Sequence, residues 1–82
     1  MNSEEILQKL QQMLEELFEI EPEQVTLETQ IFEELDIDSI DAVDLVIKLK
    51  EFTGKKIQPD QFKNVRTIQD VVVLVEQLLQ QR

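Results

Sequence analysis

The chain of 82 residues is 41% apolar and almost entirely aliphatic in that set, enough for one small core and not for a second, so a multidomain enzyme is excluded. It has no Cys and no His, which removes disulfides, thiolate metal sites, cysteine nucleophiles and the commonest general base. Its formal charge of −10 is concentrated in residues 21–45, which hold nine acids and no base; nucleic acid is repelled by such a field, and basic protein surfaces are attracted.

Residues 3–19 read as an amphipathic helix, because Ile6, Leu7, Leu10, Met13, Leu14, Leu17 and Phe18 recur at steps of one, three and four. Asn2 or Ser3 caps its start, Glu4 and Glu5 suit the positive end of its dipole, and Pro22 is expected to stop it. From Glu21 to Asp36 the periodicity loosens. Val25, Leu27, Ile31, Phe32 and Leu35 are still too many apolar residues for a free linker, so an ordered loop folded onto the core is expected. Within it, Thr29 is expected to cap one short helical turn that faces Ile31, Phe32 and Leu35 inward.

Asp38, followed by Asp41, makes an N-cap for a second helix that runs from Ile40 to Phe52 and ends at Thr53-Gly54. Pro59 to Lys63 amounts to one helical turn at most. Thr67-Ile68-Gln69-Asp70 resembles a capping box and opens a last helix with Ile68, Val71, Val72, Val75, Leu78 and Leu79 on one face. The run Val71-Val72-Val73 favours a strand by propensity, and the helical period over the segment outweighs it. The expected fold is all-α: one domain over residues 1–82, three main helices plus a short helical turn, with a long ordered first loop.

Placed at about 100° per residue, the second helix shows two opposed apolar stripes. Ala42, Leu45, Val46, Leu49 and Phe52 form the wider one, expected to face the core. Ile40, Val43 and Ile47 form the narrower one, edged by Asp41, Asp44, Lys48 and Glu51. Either the loop from Val25 to Leu35 covers this narrow stripe or it is a docking face for a partner.

Ser39 follows the cap at the first helical position. It has no base to activate it as a nucleophile, and a freely bound phosphate there is opposed by Asp36, Asp38 and Asp41. The same acids imitate the start of an EF-hand loop. Ile40 at its fifth position, Asp41 where Gly is required and Ile47 where the last Glu is required defeat that reading, and no metal site is expected. No apolar window reaches the roughly eighteen residues of a membrane span, and Asn2-Ser3-Glu4-Glu5 is the reverse of a basic signal-peptide start, so a soluble cytoplasmic chain is expected.

Leu35-Asp36-Ile37-Asp38-Ser39-Ile40-Asp41, an acidic loop before it, Val43-Asp44-Leu45-Val46 after it, Ile57 to Asp60 and Thr67-Ile68-Gln69-Asp70 together resemble the acyl carrier protein family over nearly the whole chain. The resemblance implies that Ser39, with Asp38 beside it, takes a covalent 4′-phosphopantetheine arm from coenzyme A through a separate phosphopantetheinyl transferase. The arm's thiol then holds acyl groups as thioesters; the chain itself catalyses nothing and is a monomer when free. It further implies that Ile40, Asp41, Val43, Asp44, Ile47 and Glu51 dock basic surfaces on partner enzymes of ketosynthase, ketoreductase, dehydratase and acyltransferase or acyl ligase type. Phe32, Leu45, Val46, Leu49, Ile57, Phe62 and Ile68 would line a pocket for the acyl chain.

Three features depart from the pattern usual in fatty-acid carriers: Asp36 where Gly is common, Asp-Ser-Ile in place of Asp-Ser-Leu, and the basic run from Lys48 to Lys56. With these the chain looks more like carriers of a specialised pathway, and the run from Leu35 to Asp44 with Thr53-Gly54-Lys55-Lys56-Ile57 is similar to those of bacterial aryl-polyene pathways of type II polyketide kind. An aminoacyl cargo, D-alanyl or peptidyl, is the alternative carrier reading. A helical interaction module in which Ser39 is only a cap is the alternative without a carrier role.

Nine like charges within residues 21–45 repel one another until screened, so added salt or Mg²⁺ is expected to raise the melting temperature. Thermal melts across an ionic-strength series check this; a flat or falling response contradicts it.

Overall fold

Among the described residues the named elements are, in chain order, α1 (Ser3–Phe18), the 3₁₀ turn Pro22–Gln24, α2 (Ile31–Glu34), α3 (Ser39–Thr53) and α4 (Ile68–Gln80). The computed structural model describes residues 2–58, 61–62 and 64–80. Among these the only β-type pairing is an isolated antiparallel bridge between Gln30 and Thr67. No described helix is long and apolar enough to cross a membrane.

Periodicity decides what each helix buries. In α1, Ile6, Leu10, Met13 and Leu14 lie inward, and Asn2 caps the start, its Oδ1 accepting from the Glu5 N–H at 2.9 Å. α4 buries Ile68, Val71, Val72, Leu74, Val75 and Leu78. Val73 points outward, 46% exposed, so the three-valine run is helical: one residue in water and two in the core repay the rotamer cost of β-branching. α1 packs on both α3 and α4, and α3 packs on α4. Each fully buried Leu or Ile at these contacts contributes roughly 1.5–3 kcal/mol over its exposed state.

α1 ends before its expected stop. Glu19 adopts a left-handed conformation (φ 57°); its N–H donates to the Glu15 carbonyl and the Ile20 N–H to the Leu14 carbonyl. The sharp exit carries Ile20 back into the core, while Pro22 only begins the following 3₁₀ turn. Burial of Ile20, rather than the missing proline N–H, sets this boundary.

The long loop is ordered by three sets of hydrogen bonds. Gln11 on α1 donates from Nε2 to the Val25 carbonyl at 2.9 Å and the Pro22 carbonyl at 3.3 Å. Thr29, the one buried polar residue among those described, accepts from the Thr26 N–H and donates from Oγ1 to the Gln24 carbonyl. Beyond it, the carbonyls of Thr29 and Leu27 accept from the N–H groups of Ile68 and Gln69, both at 2.9 Å, and the Ile31 N–H donates to Arg66. Two donors left open at the start of α4 are thereby satisfied by the loop.

Thr29 therefore closes the loop and does not cap α2. Gln30 holds the cap position without a side-chain cap, and Glu34 reaches back to accept from the Gln30 N–H at 2.6 Å. The inward orientation expected of Phe32 is also corrected. A single helical turn has one inward face, taken by Ile31, fully buried, and Leu35, half-buried, so Phe32 stands outside at 38% exposure. The short turn expected at Pro59 to Lys63 falls partly outside the described residues; within it Gln61 and Phe62 are helical and Phe62 is buried.

The capping box at α4 forms with an added member. The Asp70 carboxylate accepts from the backbone N–H of Arg66 (3.0 Å) and Thr67 (3.2 Å), and Thr67 Oγ1 accepts from the Asp70 N–H. The Arg66 N–H first, and then that of Thr67, hold the Asp70 carboxyl below the usual carboxylate range. A depressed folded value stabilises the fold above the unfolded pKa, and that contribution disappears as pH falls through the folded one. Asp70→Asn is expected to be less stable than the wild type at neutral pH, with the gap closing below about pH 4. Paired denaturation curves from pH 7 downward check this, and a gap independent of pH contradicts it.

Candidate functional site

The start of α3 is built by four consecutive residues with different tasks. Asp36 takes a left-handed conformation (φ 58°), one that Asp tolerates better than most side chains, and reverses the chain after α2. Ile37, only 3% exposed, anchors the segment in the core. Asp38 then caps α3: Oδ1 accepts from the N–H of Ile40 at 3.0 Å and of Asp41 at 2.8 Å. Ser39 is the first residue of the helix and is exposed.

This geometry decides what the site can bind. Helix-start amides ordinarily attract an anion, but here two of them are already committed to the Asp38 carboxylate, whose charge repels another. Phosphate would be held at Ser39 by a covalent bond, not by a cradle. Among the described residues, no group of three or more acids converges as a metal site. The helix ends at Gly54 (φ 69°), whose N–H returns to the Lys50 carbonyl at 2.8 Å.

The two faces of α3 have separate fates. Ala42, Leu45 and Leu49 are buried, with Val46 and Phe52 partly so. On the other side Ile40 is 77% exposed, Val43 56% and Ile47 51%. The first loop does not cover this narrow stripe, because its own apolar residues Val25 and Ile31 are buried and its hydrogen bonds tie it to α1 and α4. That alternative is overturned. Asp38, Asp44 and Glu51 are exposed beside the stripe, and Asp41 is partly buried.

Of the residues expected to form an acyl pocket, Leu45, Leu49, Ile57, Phe62 and Ile68 belong to the buried core, with Val46 packed against it. Phe32 does not join them; it lines a surface groove with Gln30, Glu33, Arg66 and Thr67. Sequence reasoning had no signal for the left-handed residue at Asp36 beyond its departure from glycine, and none for the role of Ile37 as the anchor of the Ser39 segment.

A model described as a phosphopantetheine attachment site matches residues 8–75. Acyl carrier protein 2 of Ralstonia nicotianae is 53% identical over 79 residues, spanning 96% of this chain and 98% of its own. The chain belongs to the acyl carrier protein family. Its members are carriers and not enzymes, and the family's group is a covalently attached 4′-phosphopantetheine. The meromycolate extension acyl carrier protein of Mycolicibacterium smegmatis is 36% identical over 75 residues, covering 92% of this chain and 76% of that one. The fold agrees: the acyl carrier protein of Thermotoga maritima superposes with a TM-score of 0.83 at 26% identity, over 94% of this chain and 89% of that one. The residues at the start of α3 fit the group, since an exposed hydroxyl is offered there and the chain has no thiol of its own.

Removing the cap separates structure from chemistry at this site. Asp38→Ala leaves the Ile40 and Asp41 N–H groups without their acceptor and is expected to cost about 0.5–2 kcal/mol. For a domain of this size that lowers the melting temperature by roughly 4–8 °C per kcal/mol. Ser39→Ala, which removes no cap acceptor, is expected to melt close to the wild type; equal losses in the two variants would contradict the assignment of the cap.

Proposed function

We propose that this acyl carrier protein carries its cargo on 4′-phosphopantetheine attached to Ser39. The observation that carries the proposal is the exposed Ser39 at the capped start of α3, beside an apolar stripe whose Ile40, Val43 and Ile47 are more than half exposed. In the loading step the Ser39 oxygen loses its proton to a base and forms a bond to the phosphorus that bears the pantetheine, the pyrophosphate bond of coenzyme A breaks, and adenosine 3′,5′-bisphosphate leaves with the electron pair. The transferase supplies the base: this chain has no His, and the neighbouring Asp38 carboxylate is committed to the Ile40 and Asp41 amides. Asp38 keeps the helix start rigid and the hydroxyl outward while the transferase works.

Ile40, Val43 and Ile47, with Asp41, Asp44 and Glu51, are the surface that partner enzymes engage: the phosphopantetheinyl transferase first, then ketosynthase, ketoreductase, dehydratase and acyltransferase or acyl ligase. When an acyl chain is sheltered, the α3 side chains Leu45, Val46 and Leu49 part from Ile57, Phe62 and Ile68 to admit it, with Phe32 left outside. The pathway is a specialised fatty-acid or polyketide one, supported by Asp36 after Leu35, by Ile40 after the serine and by the basic run that follows Lys48.

Intact mass after incubation with coenzyme A, Mg²⁺ and a broad-specificity phosphopantetheinyl transferase is expected to rise by one phosphopantetheinyl group, and not to rise in folded Ser39→Ala. No gain with several transferases on folded protein refutes attachment at Ser39. The pathway reading is checked by elongation. The loaded carrier should be extended by the ketosynthase of its own cluster and served poorly by a housekeeping fatty-acid synthase; the reverse preference refutes it.

A further inference from the structure

Charge along the exposed side of α3 changes sign halfway. Asp36, Asp38, Asp41 and Asp44 lie before and within its first half; Lys50 lies in its last turn, and Lys55, partly buried, and Lys56, exposed, follow in the turn beyond, with Glu51 the one acid in that stretch. Lys50 lies at about 280° on the helix wheel, next to Val43 and Ile47 at about 300° and 340°, and so belongs to the same exposed face. Lys48 sits closer to α1, lining with Glu51 a groove against Lys9, Glu16 and Phe52.

At 1.5 Å per residue the centres of the two groups, near Asp41 and Thr53, are roughly 18 Å apart. The screening length at physiological ionic strength is about 8 Å, so a partner meets them as two separate charges and not as a blurred average. Exposed Ile40 and Val43 among the acids, and Ile47 between them and Lys50, give one apolar contact area next to both groups.

We propose that the enzyme docking on α3 has a surface of mixed sign: cations placed against Asp38, Asp41 and Asp44, and carboxylates placed against Lys50, Lys55 and Lys56. This rests on the carrier reading above and adds to it a polarity that fixes the direction of the partner along the helix. A uniformly basic partner surface pays repulsion at the Lys end, while a mixed one gains at both ends; the difference selects among enzymes that all tolerate an acidic helix. A second copy of this chain, paired antiparallel through α3, would match acid to base as well, but two molecules of charge −10 repel each other as a whole.

The test reverses the basic group alone. Wild type, Lys50→Glu/Lys55→Glu/Lys56→Glu and the neutral Lys50→Gln/Lys55→Gln/Lys56→Gln are each loaded and checked by intact mass and by circular-dichroism melting. Failure of the wild type to load sinks the carrier reading itself, separately from this one. The loaded proteins are then titrated against the ketosynthase encoded with the carrier. A mixed-sign surface predicts a KM raised about tenfold by the glutamate variant and less by the glutamine variant, with kcat unchanged. A uniformly basic surface predicts the opposite sign, because the variant is the more acidic ligand. A lowered or unchanged KM overturns the proposal, and so does a wild-type dimer in sedimentation velocity that the glutamate variant abolishes, which would give the face to a second copy.

Discussion

The arrangement depends on how the loop between α1 and α3 is fastened to the start of α4. Carbonyls of Leu27 and Thr29 accept from Gln69 and Ile68, and Arg66 accepts from Ile31, so loop and helix complete each other's backbone hydrogen bonds. Neither is satisfied alone: the loop would bury open carbonyls and the helix would begin with open amides. Thr29 can be buried because Thr26 and Gln24 satisfy its hydroxyl. With the loop committed there, its buried Val25 and Ile31 serve the core, and the loop is not free to shield the outer face of α3.

That allocation leads to the site. Asp36 accepts a left-handed conformation, Ile37 is drawn into the core, and Asp38 is left where its carboxylate closes two amides of α3. Ser39 then has no structural task. A residue that caps nothing, buries nothing and stands at a rigid helix end is suited to receive a large group, since modifying it disturbs no packing. The same cap that rigidifies the position also repels free anions, which favours a covalent phosphate over an adventitious one.

Most of this was legible where period and capping act locally. The stripes of α1, α3 and α4, the Asp38 cap and the box at Thr67 and Asp70 depend on residues within one or two turns of each other, and the structure has them. What could not be read was set by distant partners. Thr29 has a good capping side chain, but the carbonyl it satisfies belongs to Gln24, and its own carbonyl is claimed by α4. Phe32 looks like core by composition, yet α2 is one turn long and Ile31 already fills its inward face. Glu19 gave no sign of a left-handed exit, because the cause is the burial of Ile20 next to it. The same distinction holds at the site: the narrow stripe of α3 was visible in the sequence, but whether the loop covered it depended on hydrogen bonds more than twenty residues away.

Exposed Ile40, Val43 and Ile47 contribute nothing to the core, and the aspartates near them repel one another. A sequence selected for stability alone would replace both. Keeping them on the helix that begins with Ser39 places an apolar stripe, a charge pattern and an exposed hydroxyl on one rigid element; with the arm on Ser39, as proposed, a partner that binds the face also locates the arm. A rigid element also limits which enzymes can use the site. A flexible carrier could present its arm to any basic surface, whereas α3, held at one end by Asp38 and at the other by Gly54, presents charges at fixed separations. On the proposed docking, selectivity among partners follows from position along the helix as much as from net charge.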